Sequence, residues 1–239
     1  MAGIGIKLNK IFEKNTLTTH ILGFGYSAVV TIAPMLVVIL NILLMGWFLG
    51  FNKVGYTDRE LFSCTVLYIF IFALLTASPF NAVLSRYMSD VIYEERYQDI
   101  LPCYYVGLFL NILLSVLLGI PFCLWEHFVG GVSVAYVFTG FCGYIALVLI
   151  FYSMIYLSIC KDYEKISWFF FLGMAEAFVL SLILHFWCGW EVTRSMLFSL
   201  MTGFFLTAVL ELSLVKRYFV KNSNRFRPVL KYFRQYWQL

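Results

Sequence analysis

Charge is scarce in this sequence. Asp, Glu, Lys and Arg make up 13% of its 239 residues, and it has only three histidines and five prolines. The histidines (His20, His127, His185) are far apart, and the six cysteines (Cys64, Cys103, Cys123, Cys142, Cys160, Cys188) are scattered without a C-x-x-C pair. That spacing does not fit a metal site, so the thiols read as small hydrophobes and no metal or cofactor is expected. Also missing are a P-loop, a dinucleotide fingerprint, an H-E-x-x-H helix, and a serine or cysteine nucleophile beside an obvious base. With these absent, an enzyme reading has little to stand on, and none is expected. The net charge of +4 does not point to nucleic acid, because the cations sit beside apolar runs, where membrane lipid headgroups are the expected partner.

Hydrophobic residues make up 62% of the chain, and mean hydropathy is +0.86. Six long apolar runs cover residues 22–51, 61–84, 104–125, 132–160, 167–188 and 196–215. About 20 apolar residues of helix cross a bilayer's hydrocarbon core, and every run reaches that length. A helix satisfies its own backbone in lipid, and continuous runs argue against a β-barrel's alternation. The expected fold is therefore all-α: a polytopic membrane protein with a six-transmembrane-helix bundle. The first run is too long for a signal peptide's apolar region of about 7–15 residues and reads as a retained helix.

Three parts follow. Residues 1–19 place Ile4, Leu8, Ile11 and Phe12 at helical spacing, with Lys7, Lys10 and Lys14 elsewhere on the wheel. This describes an amphipathic helix on the inner membrane surface. Residues 20–219 form the six-helix lobe. Residues 220–239 form a basic amphipathic tail or connector, with Phe226, Val229, Leu230, Phe233 and Trp237 on one stripe. Lys and Arg are retained on the cytoplasmic side. With both termini inside, 14 of the 17 cations are cytoplasmic, leaving Lys53, Arg59 and Arg194 outside. The chain is thus expected to be a multi-pass protein of the cytoplasmic (inner) membrane, with both termini in the cytoplasm.

A few polar or helix-breaking residues interrupt the runs. Pro34 and Pro79 each remove a helical hydrogen bond and crowd the carbonyl four residues earlier, at Val30 and Leu75. Such breaks occur along transport paths and also in ordinary membrane helices. Asn41, Ser78 and Asn81 would face an aqueous cavity or join helices by hydrogen bonds. Glu176 lies mid-helix with no basic residue at matching depth in the six runs, so it is expected to be protonated or in contact with water. It suggests proton coupling or contact with a polar substrate, or else a structural hydrogen bond. Glu211 lies about one turn from Lys216 and Arg217, where an interfacial ion pair is expected. Gly140, Gly143, Gly173 and Gly203 would allow close helix approach.

The most distinctive stretch joins the second and third runs. A helix leaves the bilayer near Arg86, with Asp90 four residues on, and Pro102 suits the first turn of the next crossing. Arg86, Asp90, Glu94, Glu95, Arg96 and Asp99 form a charged loop available to a cytoplasmic partner. Ser85-Arg86-Tyr87-Met88-Ser89-Asp90 with Tyr93-Glu94-Glu95-Arg96, and the opening Met1-Ala2-Gly3-Ile4-Gly5, resemble the PelG family of inner-membrane proteins of Pel exopolysaccharide systems. The tail from Tyr232 to Leu239 is similar to that family's connector after the sixth helix.

This resemblance implies a relative of polysaccharide flippases in the multidrug/oligosaccharidyl-lipid/polysaccharide (MOP) exporter superfamily, built as two six-helix lobes around a cavity. The expected function is a membrane subunit, the N-terminal lobe, of a Pel-type exporter that moves polymer across the cytoplasmic membrane for biofilm formation. Implied partners are a polysaccharide substrate, a cytosolic glycosyltransferase, other Pel membrane subunits, and a second six-helix lobe or a homodimer partner. The family is roughly twice this chain's length, so the chain corresponds to one lobe, and such a lobe does not alternate access alone. No catalytic motif carries over. From residue chemistry, the candidate translocation path is Pro34, Asn41, Ser78, Pro79, Asn81 and Glu176. The alternatives are a cation-coupled multidrug efflux lobe, or a non-transporting scaffold that recruits a glycosyltransferase.

Overall fold

The computed structural model describes residues 17–159 and 162–219. The surface helix at the N-terminus and the basic tail therefore lie almost entirely outside the described residues. Within them the chain forms six α-helices and no strand: α1 Leu17–Phe48, α2 Tyr56–Tyr93, α3 Ile100–Phe128, α4 Val134–Ile159, α5 Tyr163–Phe186 and α6 Val192–Tyr218. Helices α2 to α6 are each long and apolar enough to cross a membrane, and α1 is apolar over Ile32–Phe48. The chain is a polytopic helical membrane bundle. Helix α1 runs unbroken through Pro34, and α2 through Pro79.

The helices alternate in direction. At the first end, α1, α3 and α5 finish and α2, α4 and α6 begin. Three left-handed glycines turn the chain there, Gly50, Gly131 and Gly189, each at a backbone conformation that a side chain would strain. Trp47, Tyr56, Trp125 and Trp187 are exposed at this end, as in the aromatic belt of a membrane–water boundary. The second end carries Arg86, Arg96, Lys165, Lys216 and Arg217.

Helices α4 and α6 form the centre, and α6 packs along both α5 and α4. Met196, Leu200, Phe204 and Ala208 of α6 are buried at helical spacing, as are Leu147, Val148 and Tyr152 of α4. Helix α1 lies along α5, while α2 lies along α4 and α3. Phe70 of α2 packs edge-on against Phe204 at 5.7 Å and lies 6.4 Å from Phe151 of α4. Lipid is as apolar as leucine, so close packing and hydrogen bonds between helices hold such a bundle together.

The glycines show how close that packing is. An ideal Cβ on Gly173 would stand 2.5 Å from the carbonyl oxygen of Gly203, so α5 and α6 meet backbone to backbone. Gly140 and Gly143 differ from expectation: a Cβ at either would make ordinary contacts at 3.5 Å or beyond. The close approaches that the pattern did not reveal are Gly107, against Tyr152, and Gly119, where a Cβ would lie 2.5 Å from the Phe141 ring.

Candidate functional site

The polar residues of α1 and α2 lie on helices with different neighbours. Pro34 is buried in α1. Asn41 is 6% exposed, and its Nδ2 donates to the sulfur atoms of Met45 at 3.4 Å and Met174 of α5 at 3.5 Å. On α2, Ser78 and Pro79 are exposed and Asn81 is half-buried, with its Oδ1 unpartnered. Glu176 of α5 is half-buried within hydrogen-bonding reach of Thr202 of α6, and its Oε2 has no partner. Met174 and Glu176 are two residues apart, about 200° around α5, so Asn41 and Glu176 address different sides of that helix. The six residues are therefore spread over three helices and do not form one cluster.

Glu211 corrects the sequence expectation. It is fully buried, with 0% exposure, and neither carboxylate oxygen has a partner. Lys216 and Arg217 are exposed, and the Lys216 ammonium lies over the Tyr105 ring, 5.9 Å from its centroid. The expected ion pair fails because residues five and six positions on point to other faces of the helix. Among the described residues no ion pair includes Glu211.

Between α3 and α4 lies a hydroxyl network that the sequence pattern did not single out. Tyr104 of α3 and Ser153 of α4 share a hydrogen bond of 2.7 Å. Tyr152 donates to the Tyr104 carbonyl at 3.0 Å and pairs with the Tyr156 hydroxyl at 2.8 Å. The Cys103 thiol lies 3.5 Å from Tyr156. All five side chains are buried, and the Tyr104 and Tyr152 rings stack at 5.4 Å. Their signal was present as tyrosines four apart on α4, but aromatic residues are so frequent in this chain that the spacing did not stand out.

The charged loop is well defined at the second end. Helix α2 closes with Arg96 N–H bonding to the Val91 carbonyl at 2.9 Å and Glu95 N–H to Ile92 at 3.1 Å. This is a Schellman motif, with Glu95 in its left-handed position at φ 57°. Arg96 pairs with Glu94 and Asp99. At the same end of the bundle, Lys165 donates to Asp162 at 3.1 Å and to the Tyr218 hydroxyl, which in turn donates to Asp162.

A cavity of about 300 Å³ lies between α2, α3 and α4 toward the first end. Tyr68, Phe72, Phe122, Phe141 and Tyr144 line it, as does Glu126. The aromatic walls suit hydrocarbon or flat ring faces. No group of three or more His, Cys, Asp or Glu side chains that would hold a metal occurs among the described residues. Cys64, Cys103, Cys123, Cys142 and Cys188 are free thiols, but Cys64 and Cys188 are exposed and not buried.

No curated protein and no solved structure matches the chain. One family does, over residues 1–239: PelG, described as "Putative exopolysaccharide Exporter (EPS-E)". The motifs at the N-terminus and around the α2–α3 loop thus belong to a match that spans every helix of the bundle, and the chain belongs to the PelG family of exopolysaccharide exporters.

Proposed function

We propose that this chain is the membrane subunit of a Pel-type exporter, forming one six-helix lobe of a MOP-superfamily transporter in the cytoplasmic membrane. The family match over the whole chain carries the reading, and PelG is an exporter family, not a known enzyme family. The lobe works against a second lobe or a second copy of the chain, because one lobe supplies only one wall of a route. Both termini face the cytoplasm, following the excess of Lys and Arg at the second end of the bundle. The candidate path residues Pro34, Asn41, Ser78, Pro79, Asn81 and Glu176 do not line one continuous surface of the lobe, and the route is assigned to half-buried Glu176, whose unpartnered Oε2 offers negative charge to amino-sugar units. The α2–α3 loop, from Arg86 to Asp99, docks a cytosolic glycosyltransferase, with other Pel membrane subunits completing the assembly.

Glu176→Gln in the full assembly tests the route. Polymer export is expected to fall while protein level stays normal. Unchanged export at normal protein level removes Glu176 from the route. A drug-accumulation assay run beside polymer secretion separates this reading from a multidrug efflux lobe.

A further inference from the structure

The cavity between α2, α3 and α4 has a shape and a polarity that the export reading does not use. On α2 its lining runs from Leu61 to Phe72, and on α3 from Leu118 to Glu126. At a helical rise of about 1.5 Å per residue, these stretches are about 16 Å and about 12 Å long. One leaflet of hydrocarbon is about 15 Å deep, half of a core of about 30 Å. A volume of about 300 Å³ drawn out over that length is a slot along the bundle axis, not a chamber.

Its mouth lies between α2 and α3, where Tyr68, Phe72, Leu118 and Phe122 are exposed. The Phe122 ring stands 6.1 Å from Tyr68 and 5.4 Å from Phe72 across that seam. The floor is α4, where Gly140 and Tyr144 are buried. A Cβ on Gly140 would meet only Thr65 and Ile69, at 3.5 Å and 3.9 Å, so the absent side chain leaves space. Thr65 and Tyr144 spend their hydroxyls within the protein, on the Leu61 carbonyl and on Thr76, both at 2.7 Å. Most of the wall therefore presents carbon, which suits a hydrocarbon chain.

Polarity is confined to the first end. Glu126 is half-buried in the last turn of α3, and its Oε2 lies over the turn that follows, 3.1 Å from where a Cβ on Gly130 would stand. Among the described residues no ion pair includes Glu126, and no Lys or Arg lines the slot. Tyr136, in the first turn of α4, is 7% exposed, and its hydroxyl makes no hydrogen bond of ordinary geometry. A buried hydroxyl in that condition is costly unless a ligand completes it.

We infer that this slot binds one acyl chain of an aminophospholipid in the leaflet at the first end, with Glu126 receiving the headgroup ammonium and Tyr136 donating to an ester carbonyl. The polar groups stand where headgroups lie, beside exposed Trp125, and the apolar length runs toward the bilayer centre. An anionic headgroup would meet an uncompensated carboxylate instead. A chain seated there fills space that three helices leave open. The site does not rest on the export reading.

The test uses the purified full chain in nanodiscs carrying a phospholipid with a diazirine on one acyl chain, its headgroup either ethanolamine or glycerol. After illumination, labelled peptides are located by mass spectrometry. Labelling is expected on the slot-lining stretches of α2, α3 and α4, with the ethanolamine lipid ahead of the glycerol lipid by up to about fivefold. Glu126→Gln removes that preference, and Glu126→Lys turns it toward the glycerol lipid. Tyr136→Phe lowers labelling by both lipids alike, about fivefold. Gly140→Leu fills the slot and abolishes its labelling. If that variant does not fold, the Glu126 variants, at a half-exposed position beside a turn, still decide the matter. Asp58→Asn, an exposed carboxylate at the same end that does not line the slot, leaves labelling unchanged. Labelling spread evenly around the bundle reports only boundary lipid and overturns the site. Equal labelling by the two lipids in the wild-type chain, or a preference that survives Glu126→Gln, overturns it as well.

Discussion

Gly173 of α5 and Gly203 of α6 bring two helix backbones together so closely that a Cβ on Gly203 would lie 2.9 Å from the Cβ of Ala177. Neither helix can move aside cheaply, because α6 is also packed against α4. Gly203→Ala is expected to cost about 1–3 kcal/mol through overpacking. A lowered melting temperature in detergent checks it. Gly140→Ala is the control. Its added methyl has ordinary contacts, and helix propensity favours alanine by up to about 1 kcal/mol, so melting stays level or rises.

Tyr152 spends its hydroxyl on two buried partners, the Tyr104 carbonyl and the Tyr156 hydroxyl. Tyr152→Phe retains the ring and its stacking while leaving those partners short of one bond. The expected loss is about 1 kcal/mol, in line with hydrogen bonds between membrane helices. Thermal unfolding of the purified protein measures it, and a variant as stable as wild type would show that the network contributes nothing to the fold.

Glu95 holds a left-handed conformation at the end of α2 that glycine adopts more readily. Glu95→Gly is therefore expected to raise stability by about 1 kcal/mol, seen as a higher melting temperature. A fall would mean that the Glu95 side chain makes a contribution larger than its backbone strain.

Cys188 is exposed in the turn between α5 and α6, whereas Cys103 is fully buried. In single-cysteine variants, a membrane-impermeant maleimide should label Cys188 in the native protein and Cys103 only after unfolding. With both termini in the cytoplasm, Cys188 labels in intact cells without permeabilisation. Labelling only after permeabilisation reverses the orientation.

Much of the architecture was legible because apolar run length is a local property. The third to sixth runs correspond to α3–α6 within a few residues at most ends, although α5 begins at Tyr163, earlier than the apolar run implied. Its first turn carries Glu164 and Lys165, which a hydropathy reading discards but a helix leaving the bilayer accommodates. The candidate site was less legible. Asn41 was visible as a polar residue in an apolar run, but its partner Met174 lies 133 residues away, and no spacing along the chain announces that contact.

Run length and composition by themselves determined that this chain is a bundle of membrane helices, because an apolar helix in lipid satisfies its own backbone. The first loop, together with the opening residues, also pointed to its family. Tertiary structure alone decided which helices are neighbours. It therefore decided which glycines are indispensable and which carboxylate is isolated. In sequence Glu176 lies mid-run without a nearby cation, whereas Glu211 lies about one turn from Lys216 and Arg217 and reads as the compensated acid of the two. Helix packing separates them, burying Glu211 completely and leaving Glu176 half-exposed beside Thr202. The cost of an unpartnered charge depends on the atoms around it, and those come from distant parts of the chain.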